Sequence, residues 1–323
     1  MTDFASLTER GQVGRLRAAA PEVCREFGIE PARLRLLTHL FNTTFRVDSP
    51  DGRRFALRMN VNSQSSLAQI RAEVEWVEAL QGRLDLAQPV RTPSGTPVVS
   101  KEGILDRPIH CVLYSWLGGR LAAKAATPRT LFLLGQAMGE MHRHAASWQI
   151  PSECRFKALP DLLYGEAYAL PPGGALERTL ARGAEIFERL ARRPRIPVHY
   201  DLHLYNAKVC RGRVYVFDFD DAVLAWPAAD LAVSLFYLRG FPDAEELEAS
   251  FRGGAGVDLA EEGVTEEELE VLVACRGIFL ANAMAGMINP KLAAQRGRYL
   301  DVTERRLAAF EQTGRFDPRI ATF

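Results

Sequence analysis

Residues 198–206 read V-H-Y-D-L-H-L-Y-N, and residues 214–221 read V-Y-V-F-D-F-D-D. The second stretch is a run of β-formers ending in three acids, Asp218, Asp220 and Asp221. Carboxylates crowded at a strand end repel one another, and a divalent cation is the simplest remedy. Carboxylate and carboxamide oxygens suit magnesium, which fills its other positions with water and substrate phosphates. Between the two stretches, Arg211-Gly212 predicts a two-residue turn joining strands at 207–210 and 213–219. In that hairpin position 206 lies opposite 217, so Asn206 comes close to Asp218 although twelve residues separate them. Asp201 opens the same loop. The predicted site therefore offers an amide and a carboxylate to a metal, with a second carboxylate free to accept a proton.

Working outward, the N-terminal side is mostly β. A helix is predicted over 9–27, broken at Pro21 and closed by Gly28. Short strands follow at 34–41, 43–48 and 54–60, with a Ser49-Pro50-Asp51-Gly52 turn between the last two. Residues 66–84 carry Ile70, Val74, Val77 and Leu80 on one helical face. The Pro-rich, β-branched segment 89–116 predicts two strands, the second at 110–116. After Gly118-Gly119 the pattern turns helical. Leu131, Leu134, Met138 and Met141 mark one core-facing stripe, and Leu176, Leu180, Ile186 and Leu190 another. Thr265 with Glu268 predicts a capping box. No repeat or low-complexity tract interrupts this order. It divides into an N-terminal part at 1–114, a joint at 115–119 and a larger helical part at 120–323.

Composition narrows the function. Forty acidic and forty basic residues cancel, which gives no global signal for nucleic acid or membrane. With 323 residues, nearly half hydrophobic, the chain can bury one large core or two smaller ones. Five cysteines at wide spacing, without C-x-x-C, argue against a disulfide framework or structural zinc. The start M-T-D-F-A-S gives no expectation of a signal peptide. The longest apolar stretch, near 277–288, is interrupted by Asn282 and too short to span a bilayer. These readings predict a cytoplasmic protein, monomer or homodimer, with no nucleic-acid or membrane partner.

Phosphoryl transfer needs an Asp to orient and deprotonate a hydroxyl, and an Asn plus an Asp to hold magnesium against the phosphates. The spacing here resembles the aminoglycoside phosphotransferase and homoserine kinase superfamily, whose pattern is H-G-D-L-H-x-x-N followed by I-D-F-D. This chain has H-Y-D-L-H-L-Y-N and F-D-F-D-D. The run D-F-D-D-A, with A-A-D-L-A after it, looks most like the branch of stress-response kinase A and the homoserine kinases. The resemblance is strong over 198–238 and weak elsewhere. It implies an α+β, bilobal protein-kinase-like fold, with a five-stranded antiparallel small lobe and a helical large lobe. It also implies ATP and Mg as cofactors, and a hydroxyl-bearing acceptor: a small molecule first, a protein Ser or Thr as the alternative.

By the same resemblance Asp201 is the catalytic base, Asn206 and Asp218 are metal ligands, and Asp220 is a further metal carboxylate. His199 and His203 support the loop. Asp230 braces it, the plainer reading being a helix N-terminal acid. The strand Lys of kinases, which grips phosphate and pairs with a helix Glu, is replaced by Arg58, with Glu73 as its partner; the plain reading of both is surface charge. Asn42 and Thr43, at the 40–45 turn, would cover the phosphates. The hinge, including Ser115 and Leu117, would meet adenine through backbone groups.

Two residues depart from the pattern. Tyr200 replaces a Gly, which either narrows the acceptor site or demands an unusual backbone angle, and Arg58 is not equivalent to Lys. These departures keep open a non-catalytic nucleotide-binding protein. D-F-D-D also resembles the first motif of haloacid-dehalogenase-type phosphatases, and H-x-D-x-H at 199–203 could read as a metal hydrolase site. His142 and His144 read as capping or surface residues, and the acidic stretch 243–270 as a solvated helical face.

Overall fold

The structure, a computed structural model, describes residues 3–61, 65–159 and 173–321. The N-terminal part contains α1 (Glu9–Glu26), β1 (Arg33–His39), β2 (Thr43–Asp48), β3 (Arg54–Asn60), α2 (Leu67–Ala79), β4 (Pro89–Val90), β5 (Val99–Lys101) and β6 (Ile109–Ser115). Its antiparallel sheet runs β1-β2-β3-β6-β4, with β5 also paired to β6. There are six strands where five were expected, yet the sheet is five strands wide. Pro89 and Val90 pair with Tyr114 and Leu113, and Val99–Lys101 pair with the other half of β6. A turn containing Gly95 splits that edge lane in two.

Period-two alternation along β3 decides what each sheet face carries. Phe55, Leu57 and Met59 join Leu16, Ala20, Val23 and Cys24 of α1 in one core cluster. On the other face Ile70 and Val74 of α2 pack with Val112, and Arg58 falls on that side. Helix α1 runs on through Pro21 instead of breaking. A helix-interior Pro costs about 3 kcal/mol, and the four buried apolar side chains of α1 exceed that at roughly 1.5–3 kcal/mol for each large one. Gly28, at φ 72°, closes the helix as expected.

The C-terminal part contains β7 (Arg120–Leu121), a 3-10 turn (Ala122–Ala125), α3 (Pro128–Ala145), β8 (Lys157–Ala158), α4 (Ala175–Leu190), β9 (Ile196–Val198), β10 (Ala207–Cys210), β11 (Arg213–Val216) and β12 (Val223–Ala225). Helices α5 (Pro227–Leu238), α6 (Ala244–Ala255), α7 (Leu259–Glu262), α8 (Glu266–Ala285), α9 (Pro290–Ala293) and α10 (Arg296–Thr313) complete it. One large core holds it together, with Met138 and Met141 of α3 fully buried. Thr265 and Glu268 form the expected capping box at the head of α8. Two small sheets, β11-β10-β7 and β8-β12-β9, are inlaid in the helices.

The two parts meet at the glycine joint. Gly119 sits at φ 88°, and a Cβ there would lie 2.4 Å from the Val209 carbonyl oxygen. Only glycine lets β7 lie this close to β10. A second tie lies elsewhere. His39 bonds Thr43 (2.7 Å) and Gln12 (3.0 Å), its carbonyl accepts from Asn289 Nδ2 (2.9 Å), and Gln12 donates to the Ile288 carbonyl (3.1 Å). This buried polar knot fastens the β1–β2 turn to the chain after α8. Among the described residues no helix is long and apolar enough to cross a membrane.

Two local expectations fail. The acidic stretch is only partly solvated: Glu248 is buried, and with Glu270 it neutralises the buried Arg239. His142 is buried rather than at the surface.

Candidate active site

The β10–β11 hairpin forms with Arg211 at φ 51° and Gly212 at φ 75°, the two positive values a type I′ turn requires. Ala207 pairs with Val216, and the Phe217 N–H donates to the Asn206 carbonyl at 3.0 Å. Strand β11 stops at Val216, short of the expected 219. Asp218 takes φ 69° and turns the chain out of the ladder. The result is a cleft of about 1030 Å³ lined by Asn42, Arg58, Asp201, Asn206, Asp218 and Asp220 among others.

Asp201 is held from several directions. Asn206 Nδ2 donates to its Oδ2 (2.6 Å) and to its carbonyl (3.0 Å), and His203 Nε2 lies 3.3 Å from Oδ2. With both amide hydrogens turned to Asp201, the Asn206 amide oxygen is the atom left for a cation. His199, fully buried, accepts from the Asp201 N–H at 3.3 Å and packs on Phe219. Asp230, also fully buried, gives neither oxygen to its own helix. One accepts from the Tyr200 N–H (2.7 Å) and the other pairs with His142 Nε2 (2.8 Å). His142 therefore belongs to the support of this loop, a partner that sequence distance hid.

Tyr200 keeps the backbone angle that its glycine counterpart would take, φ 59°. Its ring leaves the cleft lining, buried edge-on against Phe279 at 5.6 Å. On the sheet side, the Arg58 and Glu73 side chains are only 5% and 4% exposed and form a direct ion pair. Arg58 Nε reaches Asn60 (3.2 Å), its Nη1 lies 3.5 Å from Asp218, and the Tyr114 hydroxyl donates to Glu73 (2.7 Å). Asn42 donates to Asp220 and links the β1–β2 turn to the acidic cluster.

Four residues predicted on the nucleotide side do not line the cleft: Glu73, which stands behind Arg58, and Thr43, Ser115 and Leu117. The Thr43 hydroxyl is engaged by His39. The Ser115 hydroxyl accepts from the Gln88 N–H (2.9 Å), and the Leu117 carbonyl accepts from Lys208 Nζ (2.8 Å).

Arg276 of α8 escaped the sequence reading. Its Nη2 donates to Asp201 Oδ1, to Tyr237 (2.9 Å) and to Asp221 (3.3 Å). The available signal was a lone arginine inside the apolar run V-L-V-A-C-R-G-I-F-L at 271–280, since a charge is rarely buried there without a task.

The charges set one another. Burial acts to raise the Asp201 carboxyl, but His203 and Arg276 outweigh it and hold the group well below the usual carboxylate range. Burial and the neighbouring Asp220 push Asp218 well above that range, against Arg58. The Asp218 side chain is 42% exposed to the open cleft, and that contact with water moderates the shift. Burial and Asp201 raise Asp221 to about 7, with Arg276 opposing.

This crowding of carboxylates suits a divalent cation. Among the described residues no three His, Cys, Asp or Glu side chains form a metal cage. The chain thus offers a partial oxygen set that phosphate and water would complete, which fits magnesium. The H-x-D-x-H hydrolase reading fails on burial: His199 is sealed beneath the loop, with its Nδ1 taken by the Asp201 N–H. The dehalogenase-type reading fails too, because β11 lies in a small antiparallel sheet.

Solved structures share the fold. An amicoumacin kinase in complex with AMP-PNP, Ca2+ and amicoumacin superposes with a TM-score of 0.73 at 17% identity, covering 95% of this chain and 96% of that one. A microcompartment-associated aminopropanol kinase gives 0.70 at 20% identity, covering 94% and 100%. A spectinomycin phosphotransferase bound to ADP and spectinomycin gives 0.60 at 12%, covering 88% and 93%. No curated protein matches the chain. A family profile does, over residues 14–265, which takes in the sheet, the joint and the hairpin and ends just before α8. The chain belongs to the phosphotransferase enzyme family, and is a phosphotransferase with a hydroxyl acceptor.

Proposed function

We propose that the protein transfers the γ-phosphate of ATP, with magnesium, to the hydroxyl of a small molecule in the cytoplasm. The observation that carries this reading is the meeting, in one cleft, of Asp201, Asn206 and Asp218, from the hairpin and the loop leading into it, with Arg58 of β3, which is held from behind by the buried Glu73 of α2. Arg58 would grip the nucleotide phosphates, held in place by Glu73. The turn carrying Asn42 would close over them, and residues 115–119 would act as hinge between a nucleotide part and a catalytic part. Asn206, Asp218 and Asp220 would hold the metal, which when bound neutralises phosphate charge.

The acceptor oxygen attacks the γ-phosphorus, the bond to the ADP oxygen breaks, and the hydroxyl proton passes to Asp201. A carboxyl held this far below its usual range accepts that proton late, once bonding to phosphorus has made the hydroxyl acidic. Its larger contribution is orientation, with catalysis resting on positioning and charge neutralisation. The buried free thiols Cys24, Cys111, Cys154 and Cys275 support a reducing compartment.

Thermal unfolding with ATP, with and without magnesium, tests the reading on wild type and on Asp218→Ala. Nucleotide at 100 times its dissociation constant adds about 2.7 kcal/mol. A magnesium-dependent rise in wild type that the variant lacks is expected. No rise in wild type sinks the reading in favour of a chain that has lost nucleotide binding.

A further inference from the structure

Three of the four arginines buried among the described residues, Arg58, Arg239 and Arg276, allow an internal comparison. Arg239 is a structural one: Glu248, Glu270 and the Phe316 carbonyl occupy all three of its nitrogens. Arg58 is likewise complete, with Asn60, Glu73 and Asp218. Arg276 is as deeply buried, at 1% exposure, but only Nη2 has partners; Nε and Nη1 have none among the described residues. Its guanidinium carbon lies 4.5 Å from the Phe279 ring and 5.5 Å from those of Tyr200 and Tyr237. The aromatic faces support the charge, and the one hydroxyl among them that accepts from the guanidinium, that of Tyr237, takes Nη2 and leaves Nε and Nη1 unanswered. This chain pairs its buried arginines elsewhere, and unmade hydrogen bonds on a buried cation are costly. The open valences of Arg276 therefore point to a ligand.

A second cation stands on the same side of the cleft. Lys157 of β8 pairs in register with Val223, two residues after Asp221, and lines the cleft. Its ammonium makes no hydrogen bond or ion pair among the described residues. Arg276 and Lys157 balance Asp201 and Asp221, so this side holds no surplus of negative charge to attract a polyamine.

We propose that the acceptor carries a carboxylate close to its reactive hydroxyl, and that Arg276, with Lys157, binds that carboxylate. The inference rests on the kinase reading and narrows its substrate class. Arg276 touches Asp201 itself, so carboxylate and hydroxyl are separated by a short spacer, about two to four carbons at ~1.5 Å per bond. Guanidinium meets carboxylate through two parallel N–H···O bonds. In taking them, Arg276 exchanges Asp201 Oδ1 for the acceptor and frees that oxygen for the hydroxyl.

The test measures acceptor-stimulated ADP release by the full chain with Mg-ATP. The probes are straight-chain hydroxy acids with two to four methylenes, and amino alcohols and diols of matching length. At least one acid is expected to outperform its amino alcohol and its diol. Arg276→Gln should lower kcat/KM for that acid about 30-fold or more relative to the diol, and Lys157→Gln should shift the ratio in the same sense by less. The ratio is the readout because any disturbance of Asp201 slows both acceptors alike. Should Arg276→Gln not fold, Lys157→Gln carries the test. Preference for amino alcohols, no stimulation by any of the acids, or an unchanged ratio in the folded variants overturns the inference. Absence of a magnesium-dependent ATP shift in wild type is the separate result that overturns the kinase reading beneath it.

Discussion

Arg58 and Arg276 face one cleft from opposite sides, and their surroundings differ in kind. Arg58 sits on a strand between neighbours that complete it: Asn60 on the same strand, Glu73 on the covering helix, and Asp218 across the cleft. Arg276 sits on a helix among aromatic rings, with two nitrogens unanswered. On the proposed function, the side that would take phosphate is thus assembled before any ligand arrives, whereas the side that would take the acceptor is left to be completed. Phosphate recognition is the same for every turnover, so its cation can be fixed in advance. Acceptor recognition is where such a chain can differ from its relatives.

The largest test of this contrast is at Asp201, which joins the two sides. Asp201→Asn should lower turnover about 10²–10⁴-fold while the magnesium-dependent ATP shift persists. Turnover within a few-fold of wild type would remove Asp201 from the mechanism. Next comes the preassembled side. Glu73→Gln leaves Arg58 buried without its main counter-charge, which should cost about 3–5 kcal/mol in urea unfolding. A loss below about 1 kcal/mol would mean that the pair does not hold the phosphate side together.

Tyr200→Gly tests how the acceptor side is built. Removing the buried ring should cost about 3–5 kcal/mol, and relief of the positive φ should return about 1–3. A net loss of about 2 kcal/mol is expected, and a gain would show that the ring contributes little to seating Arg276. The smallest effect concerns the knot joining the sides at His39. Burial lowers the His39 pKa below its ordinary 6.5. The folded state then binds fewer protons than the unfolded state, so this contribution is present above pH 6.5 and is lost as pH falls. His39→Gln should flatten the stability-versus-pH curve below neutrality by up to about 1.4 kcal/mol per pH unit. Parallel curves for variant and wild type would show that His39 is not the titrating group.

The hairpin was legible because its determinants are local. Arg211-Gly212 dictates the turn, the turn dictates the register, and the register places Asn206 against Phe217. The caps at Thr265 and Gly28 were legible for the same reason. The sixth strand and the intact α1 were not. An edge lane split between β4 and β5, and a helix held through Pro21 by the sheet beneath it, depend on packing that lies elsewhere in the chain.

By itself the sequence determined that Asp201, Asn206 and Asp218 meet in one cleft, because Asn206 and Asp218 flank a short hairpin whose geometry follows from backbone rules and Asp201 lies in the loop leading into it. Only the tertiary structure decided what faces that floor. Arg276 is seventy-five residues from Asp201, and His142 eighty-eight from Asp230. In the sequence an arginine in an apolar run and a histidine near a helix end carry no address. Burial gives them one, since a charge or polar group taken out of water must find its partner wherever the fold brings one.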